Sequence, residues 1–230
     1  MTNKSTEDSP LTVRPWQNPF SLLLGFALLM VVVCLGFLGF WFGMRTATAL
    51  GQPGSDSPEA GFARDMAAHH AQAVDMATLL RDRSDDPEMR QIALDIMLTQ
   101  QAQIGQMQGW LNVWRLPLAR VEPAMAWMGK STTGLMPGMA MPDDLNRMRG
   151  LNGLEADGLF LSLMIPHHRG GVVMAQAILE HTQRPEVQAL ADAIIKAQES
   201  EITLMQALLQ RKGFPPVPDE PGADHGTMTP

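Results

Sequence analysis

Cysteine and tyrosine are all but missing from this 230-residue chain, with one of the first and none of the second. The single cysteine, Cys34, lies inside an uncharged apolar run, so the remainder of the chain is thiol-free. That excludes disulfides, cysteine-based zinc sites and C-x-x-C-H haem attachment. Any metal has to be held by His, Met, carboxylate or amide. Aromatic residues make up only 6%, which leaves a core to aliphatic side chains and to the 18 methionines. Basic residues are in deficit too: 17 Lys and Arg against 24 Asp and Glu give a formal charge of −7. This balance argues against nucleic acid and against an anionic membrane surface as partner. No alternating, β-branched run suggests a sheet.

The charge-free run is Phe20 to Met44, rich in Leu, Val, Phe and Gly. Its 25 residues suffice for a helix across roughly 30 Å of hydrocarbon, with Trp16 and Trp41 near its ends, where interfacial aromatics are favoured. It is longer than a signal-peptide core, and we read it as an uncleaved membrane anchor; cleavage near Ala49 would instead release the protein. Lys4 and Arg14 precede the run and Arg45 follows it. This slight bias places the N-terminus in the cytoplasm and the following domain in the periplasm or outside the cell. Residues 1–19 read as a disordered tail, 45–57 as a linker and the proline-rich 214–230 as a second disordered tail.

Between them, 58–213 reads as four helices. Ser57-Pro58-Glu59 and Asp86-Pro87-Glu88 each combine a capping side chain, a first-turn proline and an acidic residue that suits the helix dipole. The helices are expected at about 58–83, from Asp86-Pro87-Glu88 to about 114, at 153–182 and at 185–212, with Gly213 as the final stop. Short connections make each consecutive pair an antiparallel hairpin, and two hairpins make an all-α, four-helix bundle. Apolar stripes at helical spacing agree: Met89, Ile92, Ala93, Ile96, Ile104, Met107 and Leu111 in one helix, Val187, Leu190, Ala191, Ile194, Ile202, Met205 and Leu209 in another. The long connection 115–150 is rich in Met, Pro and Gly, with one short helix expected near 143–149.

The two hairpins are copies of one another. Phe62–Met107 aligns without a gap on Phe160–Met205, 98 residues later, and 14 of 46 positions are identical; ordinary residue frequencies give about three. The identities include Met66/Met164, His69/His167, His70/His168, Met76/Met174, Gln100/Gln198 and Met107/Met205. A methionine at a core position usually only fills space. Two His-His pairs flanked by Met at the same offsets ask for a chemical reason. Residues three, four and seven apart share a helix face, so Met66, His69 and Met76 form one stripe and Met164, His167 and Met174 its copy, with His70 and His168 beside them. Imidazole and thioether together suit Cu(I), with Cu(II) more tolerant of His and oxygen. Pro166 removes one helix hydrogen bond and should bend its helix; Gly170 and Gly171 let a neighbour come close. Gln100, Gln198 and Glu201 stand as outer partners that fix imidazole tautomers, or, for the glutamines, as a buried hydrogen-bonded pair; Met107 and Met205 belong to the same outer set. Met125, Met128, Met136, Met139 and Met141 in the connection, with His225 and Met228 in the tail, form candidate weak sites.

The run Met164-Ile165-Pro166-His167-His168-Arg169-Gly170-Gly171-Val172-Val173-Met174-Ala175 resembles the M-I-P-H-H-x-G-A-x-x-M-A pattern of the ferritin-like domain-of-unknown-function family numbered three-hundred-and-five. Ala197-Gln198, Glu201-Ile202 and Met205 match its later A-Q-x-x-E-I-x-x-M pattern. The resemblance spans about 59–212 and the M-P-G-M loop at 136–139. It implies a ferritin-like bundle, export, and copper binding through His and Met without catalysis. The first copy departs from the pattern: Ala68 replaces the proline, Ala71-Gln72-Ala73 the glycine-containing step, and Gln103 stands where Glu is usual. A di-iron oxidase on the same scaffold needs Glu-x-x-His motifs, and none occurs here. A metal-free interaction bundle at the membrane and a Met/His-ligated haem bundle are the other readings; the recipient of any metal is not legible in the sequence.

Overall fold

The computed structural model describes residues 19–49, 51–120 and 122–218. Most of the N-terminal tail, Leu50 and the tail pair His225 and Met228 lie outside the described residues. The chain divides into two units, Met1–Gly51 and Gln52–Pro230. In the first, helix α1 (Pro19–Ala49) extends into the stretch read as linker. Leu22–Gly43 is long and apolar enough to cross a membrane, and none of it is buried by protein.

The second unit is all α among its described residues, apart from an isolated bridge between Ala124 and Thr132. Helix α2 (Pro58–Arg83) packs on α3 (Pro87–Val113), and α5 (Gly153–His181) packs on α6 (Pro185–Arg211), with α2 against α5 joining the pairs. The short α4 (Pro142–Gly150) falls where expected. The ends are set by local chemistry. Ser57 Oγ accepts from Ala60 N at 3.2 Å, and Asp86 Oδ1 accepts from Glu88 N at 2.8 Å, each satisfying a first-turn donor that lacks an intrahelical partner. Gly213, at φ +80°, ends α6, and Phe214 N bonds back to Leu209 O at 3.0 Å. The pairs are tied at their ends, with Thr182 Oγ1 donating to Glu59 at 2.9 Å and Lys212 Nζ reaching both Asp86 and Asp157.

Two differences from the sequence expectation matter for the site. The proline-rich tail does not stand free at its start. The Phe214 ring occupies the space a Cβ on Gly158 would need, and Val217 exchanges two hydrogen bonds with Gln206. Apolar contact and the Gln206 side-chain amide fix 214–218 despite their composition. The long connection is also anchored. Asp65 Oδ2 accepts from Met125 N at 2.8 Å and Trp127 Nε1 at 3.0 Å, while Arg120 Nε lies 2.8 Å from Oδ1. The Trp127 indole fills the space left by the absent side chain of Gly61. Met125 and Met136 are consequently buried, and of the five loop methionines only Met141 is exposed.

Candidate metal centre

Helices α2 and α5 meet along the His-His pairs. The His69 and His167 rings lie 3.8 Å apart between centroids, tilted by 34°. His70 sits 6.4 Å from His69, and His168 sits 6.3 Å from His167. The four imidazoles form a file, His70–His69–His167–His168, and all four are fully buried.

Every ring is held by the same nitrogen. Nε2 of His69 bonds Pro137 O at 3.0 Å, and Nε2 of His167 bonds His69 O at 3.0 Å. Nε2 of His70 bonds Gln103 Oε1 at 2.7 Å, and Nε2 of His168 bonds Glu201 Oε2 at 2.6 Å. Carbonyl and carboxylate oxygens only accept, so each Nε2 carries the proton and donates. The neutral ring then presents an unshared pair at Nδ1. All four Nδ1 atoms are buried without a hydrogen-bond partner. Burial of polar atoms without partners is costly and uncommon, and a neutral imidazole whose other nitrogen is tied down is the form that ligates metal.

Burial, the largest effect, also sets the charge state. It holds His69 at about 4 and His70 at about 3, and His167 well below the ordinary 6.5. Neighbouring imidazoles push His70 and His167 further in the same direction. A histidine with a folded pKa below 6.5 is protonated first in the unfolded chain. The stability from these rings is therefore intact above about pH 6.5 and drains away as pH falls, toward about 4 for His69 and about 3 for His70. We expect the denaturation midpoint of the metal-free protein to drop steadily between pH 7 and pH 5. A midpoint flat across that range would show that these rings are not buried as neutral groups.

The methionines are divided by the packing. Met66, Met107 and Met174 share one apolar cluster with Met125 and Met136. Met76, Met164 and Met205 share the other with Met89 and Met148. The four stripe thioethers thus do not gather at one point, as facing stripes had suggested. Each cluster takes one stripe methionine from each hairpin, because α2 and α5 pack so that Met66 falls on the side of Met174 and Met164 on the side of Met76. Among the described residues, no group of three or more His, Cys, Asp and Glu is disposed to hold a metal ion. The further donors open to a metal here, alongside imidazole, are thioether sulfur and amide or backbone oxygen.

Gln100 and Gln198 do not take the role expected of them. Neither orients an imidazole and they do not satisfy one another: the amide oxygen and nitrogen of both are buried without partners. The imidazoles are oriented instead by Gln103, Glu201 and two backbone carbonyls. Gln198 lies against Gly171, where a Cβ would stand 2.4 Å from its Oε1.

The M-P-G-M loop, which sequence reading treated only as a loose collector, is wedged between the two copies. Gln72 clamps it through two bonds to Ala140, at 3.0 and 2.7 Å. On the other side a Cβ on Gly170 would stand 1.9 Å from Pro137 O, and one on Gly138, at φ +73°, would stand 2.0 Å from Pro166 O. Gln72 and Gly170 are repeat equivalents, so the departure of the first copy from the second has a cause: one holds the loop and the other makes room for it. Helix α5 remains continuous through Pro166. The pairing of glycines in the loop and in the His-His segment was the signal available in the sequence.

Known proteins resemble this chain in sequence and fold. The DUF305 protein of Streptomyces coelicolor is 44% identical, with a TM-score of 0.69, over 73% of this chain and 100% of that one. CopM matches over 67% of this chain in both a Cu(I)-bound form (29% identity, TM-score 0.51, 96% of CopM) and a Cu(II)-bound form (31%, 0.56, 97%). The uncharacterized protein L153 of Acanthamoeba polyphaga mimivirus is 36% identical over 56 residues, 24% of this chain, and the chain spans 37% of that curated relative. The family model for the domain of unknown function DUF305 matches residues 59–209, and the chain belongs to that family.

Proposed function

We propose that this protein is a membrane-tethered, extracytoplasmic copper-binding protein that holds Cu(I) through imidazole and thioether ligands and sequesters it or hands it on. The observation that carries the reading is the set of four buried imidazoles, each fixed through Nε2 and bare at Nδ1. His70 lies one turn from Met66, and His168 one turn from Met164, so each cluster pairs borderline nitrogen with soft sulfur, a set suited to Cu(I) and tolerant of Cu(II). The copper-bound forms of CopM support the same ion. No step beyond binding and release is required. The paired hairpins are the core of a ferritin-like four-helix bundle in this reading, and α1 is its single membrane anchor, with the N-terminus cytoplasmic.

Competitive titration of the full chain in mild detergent with Cu(I), Cu(II), Zn(II) and Fe(II) tests the proposal. Cu(I) should bind more tightly than micromolar and displace the others. Retention of iron with oxidase activity, or no metal bound more tightly than micromolar, would sink it.

A further inference from the structure

The repeat that places the imidazoles is broken at one charged position. His70–Gln103 and His168–Glu201 are equivalent contacts: each partner lies 33 residues beyond its histidine, and the distances are 2.7 and 2.6 Å. One partner is a neutral amide and the other a carboxylate. Resting on the copper-binding reading above, we propose that this difference makes the two halves unequal Cu(I) sites, a tight one at His168 and an exchanging one at His70.

The argument is one of charge. Neutral imidazole and thioether donors bring none, so a monovalent ion in either half arrives in the interior with its charge unbalanced, which is costly. A carboxylate hydrogen-bonded to the far nitrogen of a ligating imidazole offsets that charge and raises the basicity of the ring. Glu201 does this for His168 while remaining 24% exposed at its side chain, so its own desolvation is incomplete. Gln103 fixes the tautomer of His70 equally well and offers no charge. Asp65, the buried carboxylate beside Met66, is already matched by Arg120 at 2.8 Å. The first half therefore has geometry without compensation. An amide there lets the ion leave, which suits hand-over, while the carboxylate in the second half suits retention.

The test is titration of the full chain in detergent with Cu(I) against a chromophoric Cu(I) chelator, for wild type, Glu201→Gln and Gln103→Glu, with melting of each metal-free form as the check on folding. Wild type should show two steps separated by about 10–100-fold. Glu201→Gln should collapse the tight step onto the weak one. Gln103→Glu should lift the weak step by a similar factor, a gain that no merely structural role predicts. Two equal steps in wild type, or a Gln103→Glu isotherm that is unmoved or weaker, would overturn the inequality and leave copper binding standing. Failure of wild type to take up Cu(I) at all would instead remove the underlying reading and this inference with it.

Discussion

Replacing His167 with alanine is expected to lower Cu(I) affinity by more than about 100-fold, beyond the 10–100-fold that loss of an outer hydrogen-bonding partner typically costs. His167 stands at the centre of the imidazole file. Its ring lies tilted against His69, and its Nε2–H is the donor to the buried His69 carbonyl. The substitution removes one bare Nδ1 and strands that carbonyl, so stability should fall as well, by about 1–3 kcal/mol. Met174→Ala should weaken binding in the same direction by removing one of the three repeat-related thioethers from its cluster. Met141→Ala is the comparison: that residue is 46% exposed and belongs to neither apolar cluster. Equal losses for His167 and Met141 in a chelator-competition titration would mean that the ligands lie elsewhere.

The second large effect is on the fold. Gly170→Ala should destabilise the protein by about 3 kcal/mol, at the upper end of what overpacking costs, and lower the melting temperature by roughly 6–12 °C. The new methyl would stand 1.9 Å from Pro137 O, and the obstacle is backbone, which cannot rotate aside. Relief requires the M-P-G-M loop to lift from α5, which withdraws the carbonyl that holds the His69 tautomer. Copper affinity should then drop about 10-fold along with stability. Gly105→Ala makes the sign of the effect visible. Gly105 is an exposed helical position with open space at its Cβ, so the same substitution there should stabilise by about 0.5–1 kcal/mol. Thermal melting of the two variants side by side decides the matter, and indistinguishable shifts would rule out the loop wedge.

The helices were legible because their ends are coded locally. Ser57, Asp86 and the prolines that follow them act on their own first turns, and the apolar stripes need only a period. The imidazole file was legible through repetition, since two identical His-His pairs on matching helices have one obvious way to meet. What depends on three-dimensional adjacency was not legible. Which methionines share a cluster follows from how α2 crosses α5, and one-dimensional spacing grouped Met66 with Met76 where packing groups it with Met174. The outer contacts rest on the same adjacency: Glu201 reaches His168 and its repeat equivalent Gln103 reaches His70, each one turn beyond the glutamine on the apolar stripe. The loop wedge joins Gly138 to Gly170 across the chain, and Asp65 anchors Met125 sixty residues away. Such contacts leave only small residues and single polar groups as traces. The start of the C-terminal tail was misjudged because composition reports proline content and not the notch at Gly158 that receives Phe214.

X-ray absorption at the copper edge of the full chain loaded with one equivalent of Cu(I) tests the central claim most directly. Imidazole nitrogen and thioether sulfur in the same coordination sphere, with the nitrogen signal reduced in a His70→Ala/His168→Ala double variant, is the result predicted. A sphere of nitrogen and oxygen without sulfur, or a spectrum unchanged by loss of those two histidines, would contradict it.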